Sequence, residues 1–301
     1  MILEIIYILA GVVAIVAGGY VFFDRTNPKR ITSGIFWILL GGIFVFGPYI
    51  PSAVVGGLLL VLGALSMSKS VAMGADNGAS EEYREQKSKL IGNKIFIPTL
   101  ALGVLAFLIG QYTPLGGLVG LGIASFVALG LSMYYTKEKL KYIPADSTRL
   151  LTQMGPAVIL PQLLGALGAL FSKAGVGVKI SSIMAGIVPS GSALAGVILY
   201  CVSMALFTMI MGNAFAAFAV ITAGIGIPFV IGLGGDPVIV GALGLTAGYC
   251  GTLMTPMAAN FNIVPAMIME MKNKNGVIIE QIPIAIILLI THIVLMYVLA
   301  F

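Results

Sequence analysis

The stretch Thr246–Asn262, TAGYCGTLMTPMAANFN, decides how the second half of the chain folds. Apolar sequence lies on both sides of it, and its glycines and proline interrupt a regular helix. Unpaired polar groups are costly in hydrocarbon, so such a stretch must be buried in protein or line a polar cavity. It is therefore a candidate binding site. Its polar residues are Thr246, Tyr249, Thr252, Thr255, Asn260 and Asn262.

The composition is that of an integral membrane protein. Of the 301 residues, 59% are hydrophobic and 9% are charged, whereas soluble domains carry about 25% charged residues. Mean hydropathy is +1.09. The apolar runs are continuous and lack the alternation of strands, which predicts helices rather than a barrel. The net charge of +5 lies in a few short loops, which indicates topology signals rather than a nucleic-acid surface.

The first half of the chain predicts five membrane helices. Lysine and arginine fall in three of its loops and are absent from the turns GPYIPS and QYTPLGG. The positive-inside rule then places the three basic loops in the cytoplasm and the N-terminus outside. The first helix lacks a preceding basic segment and is expected to be retained rather than cleaved. The predicted helices are Ile2–Phe23, Ile31–Phe46, Ala53–Met67, Ile95–Ile109 and Leu118–Tyr135.

The two predicted hairpins of this half resemble each other. Gly47–Pro51 and Gly110–Pro114 share the pattern G-x-Y-x-P, which is either a duplication or chance in a sequence of few residue types. Glycine pairs such as Gly41-Gly42 indicate close helix packing. Residues 1–142 carry almost no polar cluster at membrane depth, and we interpret them as a five-helix scaffold domain.

Residues 143–301 predict a transport-like domain, because their apolar runs are repeatedly broken. A basic turn or surface helix is expected from Lys173 to Lys179, and the long run from Ala193 meets Gly212-Asn213. Short segments interrupted by glycine and proline at membrane depth indicate the substrate site of a transporter. The predicted fold is an all-α polytopic membrane protein of about 9–11 transmembrane or re-entrant segments, with discontinuous helices in the second half.

Two single polar residues in this half each have two interpretations. Asn213 lies inside a long apolar stretch, where an amide either bonds a neighbouring helix or contacts substrate at a broken helix. Asp236 lies in GLGGDP, which is either an exposed turn or, at membrane depth, an ion-coupling site. We assign Gly212, Gly251 and Asp236 as candidate ion-coupling positions.

The densest polar cluster of the sequence lies within Thr252–Asn262 and also has two interpretations. It is either a polar helix interface or a binding site. As a binding site, its side chains would hold a carboxylate through amides and hydroxyls together with half-helix N-termini. The predicted substrate-binding residues are Asn213, Thr252, Thr255, Asn260 and Asn262.

The remaining polar and sulfur-containing residues suggest structural roles. Ser190 and Ser192 are expected to form a loop tip or to cap the helix that begins at Ala193. His292 suits a packing role better than a proton relay. Cys201 and Cys250 suit buried packing positions rather than a disulfide or a metal site.

An enzyme is not predicted. The chain has no H-E-x-x-H sequence and no phosphate-binding P-loop. The run Leu233–Asp236 misses the G-x-G-D signature of intramembrane aspartyl proteases by one residue. No cofactor is expected beyond a coupling sodium ion or proton.

The second half resembles the ion-transporter superfamily, which includes C4-dicarboxylate, gluconate and citrate carriers. The resemblance rests on Gly212–Ala214, a Gly/Pro-rich run, and Gly251–Asn262. Within that group the chain is similar to a bacterial family of unassigned function, and this resemblance implies half of a two-component carrier that is linked to 5-oxoproline use. The usual Ser-Asn-Thr signature is replaced here by Gly-Asn-Ala and Gly-Thr.

The resemblance implies a secondary carrier, or one subunit of one, for 5-oxoproline or a di- or tricarboxylate. Transport would be coupled to sodium or protons in the bacterial cytoplasmic membrane. The expected partners are the anion, the lipid bilayer and a second membrane subunit or another copy of the chain, without nucleic acid. The alternative is a non-transporting assembly or regulatory subunit.

Overall fold

A computed structural model describes residues 2–75, 78–184, 186 and 191–301. The protein is 81% helix, with no strand in the described ranges. By length and composition, eight described helices could cross a membrane, and Ser52–Met67 and Pro237–Leu253 are shorter apolar helices. The predicted all-helical, multi-pass membrane fold is confirmed.

The chain divides into two compact units, Met1–Gly155 and Pro156–Phe301, which we call unit 1 and unit 2. The division falls later than the predicted boundary after residue 142. The segment between the two boundaries is mostly an amphipathic helix that packs against the first helix of unit 1. That packing explains why it belongs to the first unit.

Unit 1 contains the five predicted membrane helices and two further helices. Their bounds are α1 (Ile2–Phe23), α2 (Arg30–Phe46), α3 (Ser52–Met67), α4 (Glu81–Ile91), α5 (Ile97–Tyr112), α6 (Gly117–Thr136) and α7 (Ile143–Met154). The first predicted helix has the observed bounds, and the other four differ by one to three residues at an end. Residues 69–75 form an ordered non-helical segment beside the α1–α2 turn.

Glycines bring α1 and α2 together along one seam. A Cβ at Gly41 would lie 2.5 Å from the carbonyl oxygen of Gly11, and one at Gly18 would lie 3.0 Å from that of Gly34. Only glycine permits backbones to approach so closely. Gly42, in contrast, has no neighbour within 4 Å of its Cβ position, so the predicted packing role of the pair belongs to Gly41.

Unit 2 contains eight helices among its described residues. They are α8 (Leu160–Lys173), α9 (Val176–Met184), α10 (Ala193–Met211), α11 (Ala214–Ile221), α12 (Ile227–Phe229), α13 (Pro237–Leu253), α14 (Ile263–Ile268) and α15 (Gly276–Ala300). A π-helical turn, Thr222–Gly226, joins α11 to α12. Ser192 caps α10 by accepting a hydrogen bond from the Ala195 amide at 3.3 Å, as predicted, whereas Ser190 lies outside the described residues.

The helices of unit 2 align in register around α10. The segment from α11 to α12 returns antiparallel to α10, since the Tyr200 hydroxyl contacts Thr222 Oγ1 at 2.7 Å and Gly196 packs on the Phe229 carbonyl. Helix α13 runs parallel to α10, with Gly251 against Ala205. Helix α15 runs antiparallel to α10.

This register gives unit 2 two ends. The turn Gly212-Asn213 and residues 254–262 lie at one end, which we call the Gly212 end. Residues 230–236 and the end of α15 lie at the other, the Asp236 end, where the Asp236 amide donates to the Ala300 carbonyl at 3.0 Å. Helix α10 has 19 residues, a length of about 28 Å, which is close to the hydrocarbon thickness of about 30 Å.

Candidate functional site

The predicted break at Gly212-Asn213 is a tight turn between antiparallel helices. Gly212 has φ +65° and its amide donates to the Thr208 carbonyl at 2.7 Å. Asn213 then caps α11, because its Oδ1 accepts from the amides of Phe215 at 2.9 Å and Ala216 at 3.3 Å. Helix α10 alone can span the bilayer, so this turn lies near one membrane face rather than at mid-depth.

The polar side chains of Thr246–Asn262 mostly donate hydrogen bonds to backbone carbonyls of the protein itself. Thr252 Oγ1 donates to the Tyr249 carbonyl at 2.7 Å, and Thr255 Oγ1 donates to the Met209 carbonyl at 2.8 Å. Asn262 Nδ2 donates to the carbonyls of Thr252 at 2.8 Å and Thr255 at 2.7 Å. These three predicted site residues are buried. Thr255 connects the loop after α13 to the end of α10, and Asn262 holds that loop against the end of α13.

The structure brings the two predicted breaks together by direct packing. A Cβ at Gly212 would lie 2.5 Å from the Met257 carbonyl oxygen. The Tyr249 ring meets Phe215 and Phe261 edge-on, with centroid distances of 6.1 and 6.2 Å. The predicted residues nevertheless have different surroundings, since Asn213 is half-buried and Asn260 is exposed.

The three predicted ion-coupling positions do not converge. Gly251 lies against the Ala205 carbonyl, where a Cβ could not fit. Asp236 is exposed and caps α13 by accepting from the amides of Val238 at 2.8 Å and Ile239 at 3.1 Å. It lies at the opposite end of unit 2 from Gly212. The geometry gives Asp236 the exposed-turn role that the sequence left as one of two possibilities.

A further helix break lies within Lys173–Lys179, which the sequence predicted only as a basic turn or surface helix. Helix α8 ends at Lys173, Gly175 has φ +70°, and α9 begins at Val176. Helices α8 and α9 run parallel to α11 and the π turn, because Gly168 packs against Ala216 and Gly177 packs against Val220. Together they form one discontinuous span.

Lys173 lies at about half the depth of this span. Leu164 contacts Gly212, with its Cδ1 2.8 Å from the glycine's Cβ position. Lys173 follows nine residues later, which is about 14 Å along a helix. A lysine at this depth is costly in lipid and usually faces a polar pathway or a ligand.

The π turn lies next to the same break. A Cβ at Gly224 would lie 2.5 Å from the Gly177 carbonyl oxygen. Tyr200 is fully buried and its hydroxyl contacts Thr222 within the turn. Single π turns occur often at functional sites because they interrupt the regular ladder of helix hydrogen bonds. Two interrupted helical segments are thus neighbours in the middle of unit 2.

An open groove runs between α8 and α11. Small residues leave the space, Asn213 lies at the Gly212 end of the groove, and Ser172 and Lys173 lie at half depth. Asn213 Nδ2 donates no hydrogen bond in the described part of the chain. The amide, the hydroxyl and the ammonium group are donors for anionic groups at different depths along the groove. The groove is lined by Gly165, Gly168, Ala169, Ser172, Lys173, Asn213, Phe215, Ala216 and Ala219.

The sequence analysis placed the candidate site at Thr246–Asn262. It did not predict that Ser172, Lys173 and Thr222 lie in one region of the fold. The available signal was a lysine followed by Ala-Gly inside an apolar run, and the glycine-rich run Thr222–Gly226. Neither signal gives the register of α8 on α11, which comes from packing.

Two buried oxygen atoms near the Gly212 end have no hydrogen-bond partner in the described part of the chain. They are Thr208 Oγ1 and Asn262 Oδ1. Leaving such a group unpaired costs about 1–3 kcal/mol. Within the described residues no three His, Cys, Asp or Glu side chains cluster to hold a metal.

The two cysteines and the histidine discussed in the sequence analysis lie in positions that suit packing. Cys201 and Cys250 are free and buried, in agreement with the predicted packing role. His292 Nδ1 contacts the Leu288 carbonyl oxygen at 2.7 Å within its own helix. Neither cysteine lies among the residues of the groove.

The fold therefore defines a multi-pass helical membrane protein. Its family is described as "Protein of unknown function (DUF979)", and the chain belongs to it, since the match covers residues 4–301. No curated protein and no solved structure matches the chain.

Proposed function

We propose that this chain is a secondary carrier, or one subunit of a two-component carrier, for a small organic anion. The substrates we favour are 5-oxoproline and di- or tricarboxylates. One observation carries the proposal: Lys173 lies at the break between α8 and α9 and lines a groove that also contains Asn213. Discontinuous helices that carry charged residues within the membrane are typical of transporter binding sites.

In this proposal Lys173 neutralises the carboxylate of the substrate, and Ser172 adds a hydroxyl contact. Asn213 Nδ2 provides a donor at the Gly212 end, where the amide groups of α11 also favour negative charge. The hydrogen bonds of Thr252, Thr255 and Asn262 hold the turn in place. The unpaired oxygens of Thr208 and Asn262 suit a coupling sodium ion, with proton coupling as the other outcome of a flux measurement.

The proposed topology places the Gly212 end in the cytoplasm. Lys272 and Lys274 lie between α14 and α15 at that end, and the positive-inside rule assigns such loops to the cytoplasm. The same rule places the N-terminus outside. The membrane is the bacterial cytoplasmic membrane.

The proposal includes a partner, either a second membrane protein or another copy of this chain. Lys173 and Lys179 are both exposed in the structure. A lysine at the centre of a membrane helix costs about 2.5–3.5 kcal/mol on insertion scales. Covering this face with protein and water, rather than lipid, removes that cost and encloses the groove.

Uptake into proteoliposomes tests the function. Vesicles containing the purified chain, with and without any membrane protein that copurifies, receive labelled 5-oxoproline or succinate under a sodium or proton gradient. We expect gradient-dependent uptake of one of these anions. Absence of uptake of 5-oxoproline, dicarboxylates and citrate in every combination would overturn the proposal.

Two substitutions at Asn213 separate binding from folding. Serine and aspartate both cap helices about as well as asparagine. Asn213→Ser should keep the fold and lower uptake modestly, whereas Asn213→Asp should lower it at least tenfold, because it places a negative charge beside the anion. Equal uptake by the two variants would remove Asn213 from the site.

A second function, a non-transporting assembly subunit, is favoured by a different observation. The buried hydrogen bonds of Thr255 and Asn262 within the chain are those of a closed packing interface. This function predicts that a partner transports alone, and that substitutions in the groove of this chain leave the partner's flux unchanged. The variants above therefore distinguish the two functions.

A further inference from the structure

A small cavity in unit 1 carries charged groups that the proposed carrier function does not use. It lies between the end of α1, residues 73–75 and α7, and its volume is about 160 Å³. Asp24, Asp146 and Arg149 all line it. One water molecule occupies about 30 Å³, so this space admits a ligand several times larger than water.

Arg149 is poorly satisfied in this cavity. Its Nε is buried without a hydrogen-bond partner, and the nearest carboxylate oxygen, Asp146 Oδ1, is 3.9 Å away. That distance is beyond a hydrogen bond. A guanidinium group offers five donors in a planar fork that matches a carboxylate or phosphate. Arg149 Nε is therefore a donor that no group in the described part of the chain uses.

Asp24 supplies the opposite charge and is held in position. Its Oδ1 accepts from the amide of Thr26 at 2.9 Å and from the Thr26 hydroxyl at 2.7 Å. Its Oδ2 lies against Gly74, where a Cβ would collide with it. Thr26 Oγ1 also accepts from the Ala75 amide at 2.9 Å, which ties residues 73–75 to the α1–α2 turn. One oxygen of Asp24 thus stays available beside the cavity.

We propose that this cavity binds a small zwitterion with a primary ammonium group a few bonds from an anionic group. The anionic group would pair with Arg149, and the ammonium group would lie near Asp24 and Asp146. A simple anion would leave both carboxylates uncompensated, and a simple cation would leave Arg149 uncompensated. A free α-amino acid and the headgroup of phosphatidylethanolamine share the required chemistry.

Thermal unfolding of the full chain in phosphatidylcholine nanodiscs tests this site. In one arm the probes are glycine and L-alanine, with acetate and methylamine at equal concentration as single-charge controls. In the other arm the nanodiscs contain phosphatidylethanolamine. We expect the unfolding midpoint to rise in at least one arm, and acetate and methylamine to have less than a third of the zwitterion's effect.

Substitutions test whether the rise in the unfolding midpoint comes from binding in this cavity. Arg149→Met and Asp24→Asn should each weaken the response at least tenfold, whereas Arg84→Met, at an exposed position on α4, should leave it unchanged. If Arg149→Met does not fold, Arg149→Lys replaces it, since lysine keeps the charge but loses the planar fork. The site is refuted by no rise in either arm, by equal effects of the single-charge controls, or by an unchanged response in the Asp24 and Arg149 variants.

Discussion

Glycine has different uses in the two units. In unit 1 it allows two continuous helices, α1 and α2, to touch along their backbones at Gly11 and Gly41. In unit 2 glycines with a left-handed backbone also interrupt apolar runs, at Gly175 and Gly212, whereas in unit 1 such glycines end the shorter helices α4 and α7, at Gly92 and Gly155. A continuous helix leaves unpaired backbone groups only at its two ends, whereas an interrupted helix also leaves them at the break, where they can bind a ligand. The comparison supports the proposal that the substrate site of the carrier lies in unit 2.

The largest effect should come from Gly212→Ala. The left-handed backbone costs about 1–2 kcal/mol for a residue with a Cβ, and the contact with the Met257 carbonyl adds about 1–3 kcal/mol of overpacking. Gly175→Ala is the control, because Gly175 has φ +70° but no neighbour within 4 Å of its Cβ position. Unfolding in detergent should show the greater loss for Gly212→Ala. Equal losses would mean that the contact with Met257 does not matter.

The next effect tests the seam of unit 1. Gly41→Ala should lower the free energy of unfolding by about 1–3 kcal/mol, since its Cβ would meet the Gly11 backbone. Gly42→Ala, at the neighbouring position, should be neutral or stabilising by up to about 1 kcal/mol. The same unfolding measurement checks both variants. A similar result for the two would show that α1 and α2 do not pack along this seam.

A smaller effect on stability is expected at the end of the stretch Thr246–Asn262. Asn262→Ala removes the donor of two buried hydrogen bonds and should cost about 1–2 kcal/mol. Asn260→Ala, at an exposed position, should change stability by less than about 0.5 kcal/mol. Thermal unfolding of both variants measures the difference. A larger loss for Asn260→Ala would contradict the packing role given to Asn262.

The smallest effect is the pH dependence of α4 in unit 1. Hydrogen bonds donated by Tyr83 and then Lys87 lower the pKa of the Glu138 carboxyl below its ordinary value of 4.5. Because the folded-state pKa is lowered, the contact is stabilised above the ordinary value and loses this stabilisation as pH falls through the folded-state pKa.

Spin labels at Arg84→Cys and Lys137→Cys would report this contact. Their distance distribution should broaden when the pH falls from 7 to about 3.5. Glu138→Gln should remove most of the pH dependence, because its side chain does not titrate. A distribution that is unchanged with pH in the parent protein would show that Glu138 does not hold α4.

Hydropathy predicted most of the fold, because a run such as Ile2–Phe23 needs only its length and composition to specify a membrane helix. The site was harder. A glycine followed by asparagine suits both a mid-membrane break and a hairpin turn, and the length of α10 decides between them only once its start at Ala193 is known. The position of Lys173 depends on how α8 packs on α11, which no local pattern encodes. The binding roles of Thr252, Thr255, Asn260 and Asn262 stay predictions.

The most direct test of the account is anion uptake by Lys173→Met compared with Lys179→Met. Both variants remove one charge from the same discontinuous span, but only Lys173 lines the groove. With equal amounts of folded protein, initial uptake of labelled 5-oxoproline or dicarboxylate should fall at least tenfold for Lys173→Met and less than twofold for Lys179→Met. Uptake by Lys173→Met at the rate of the parent protein would contradict the central claim.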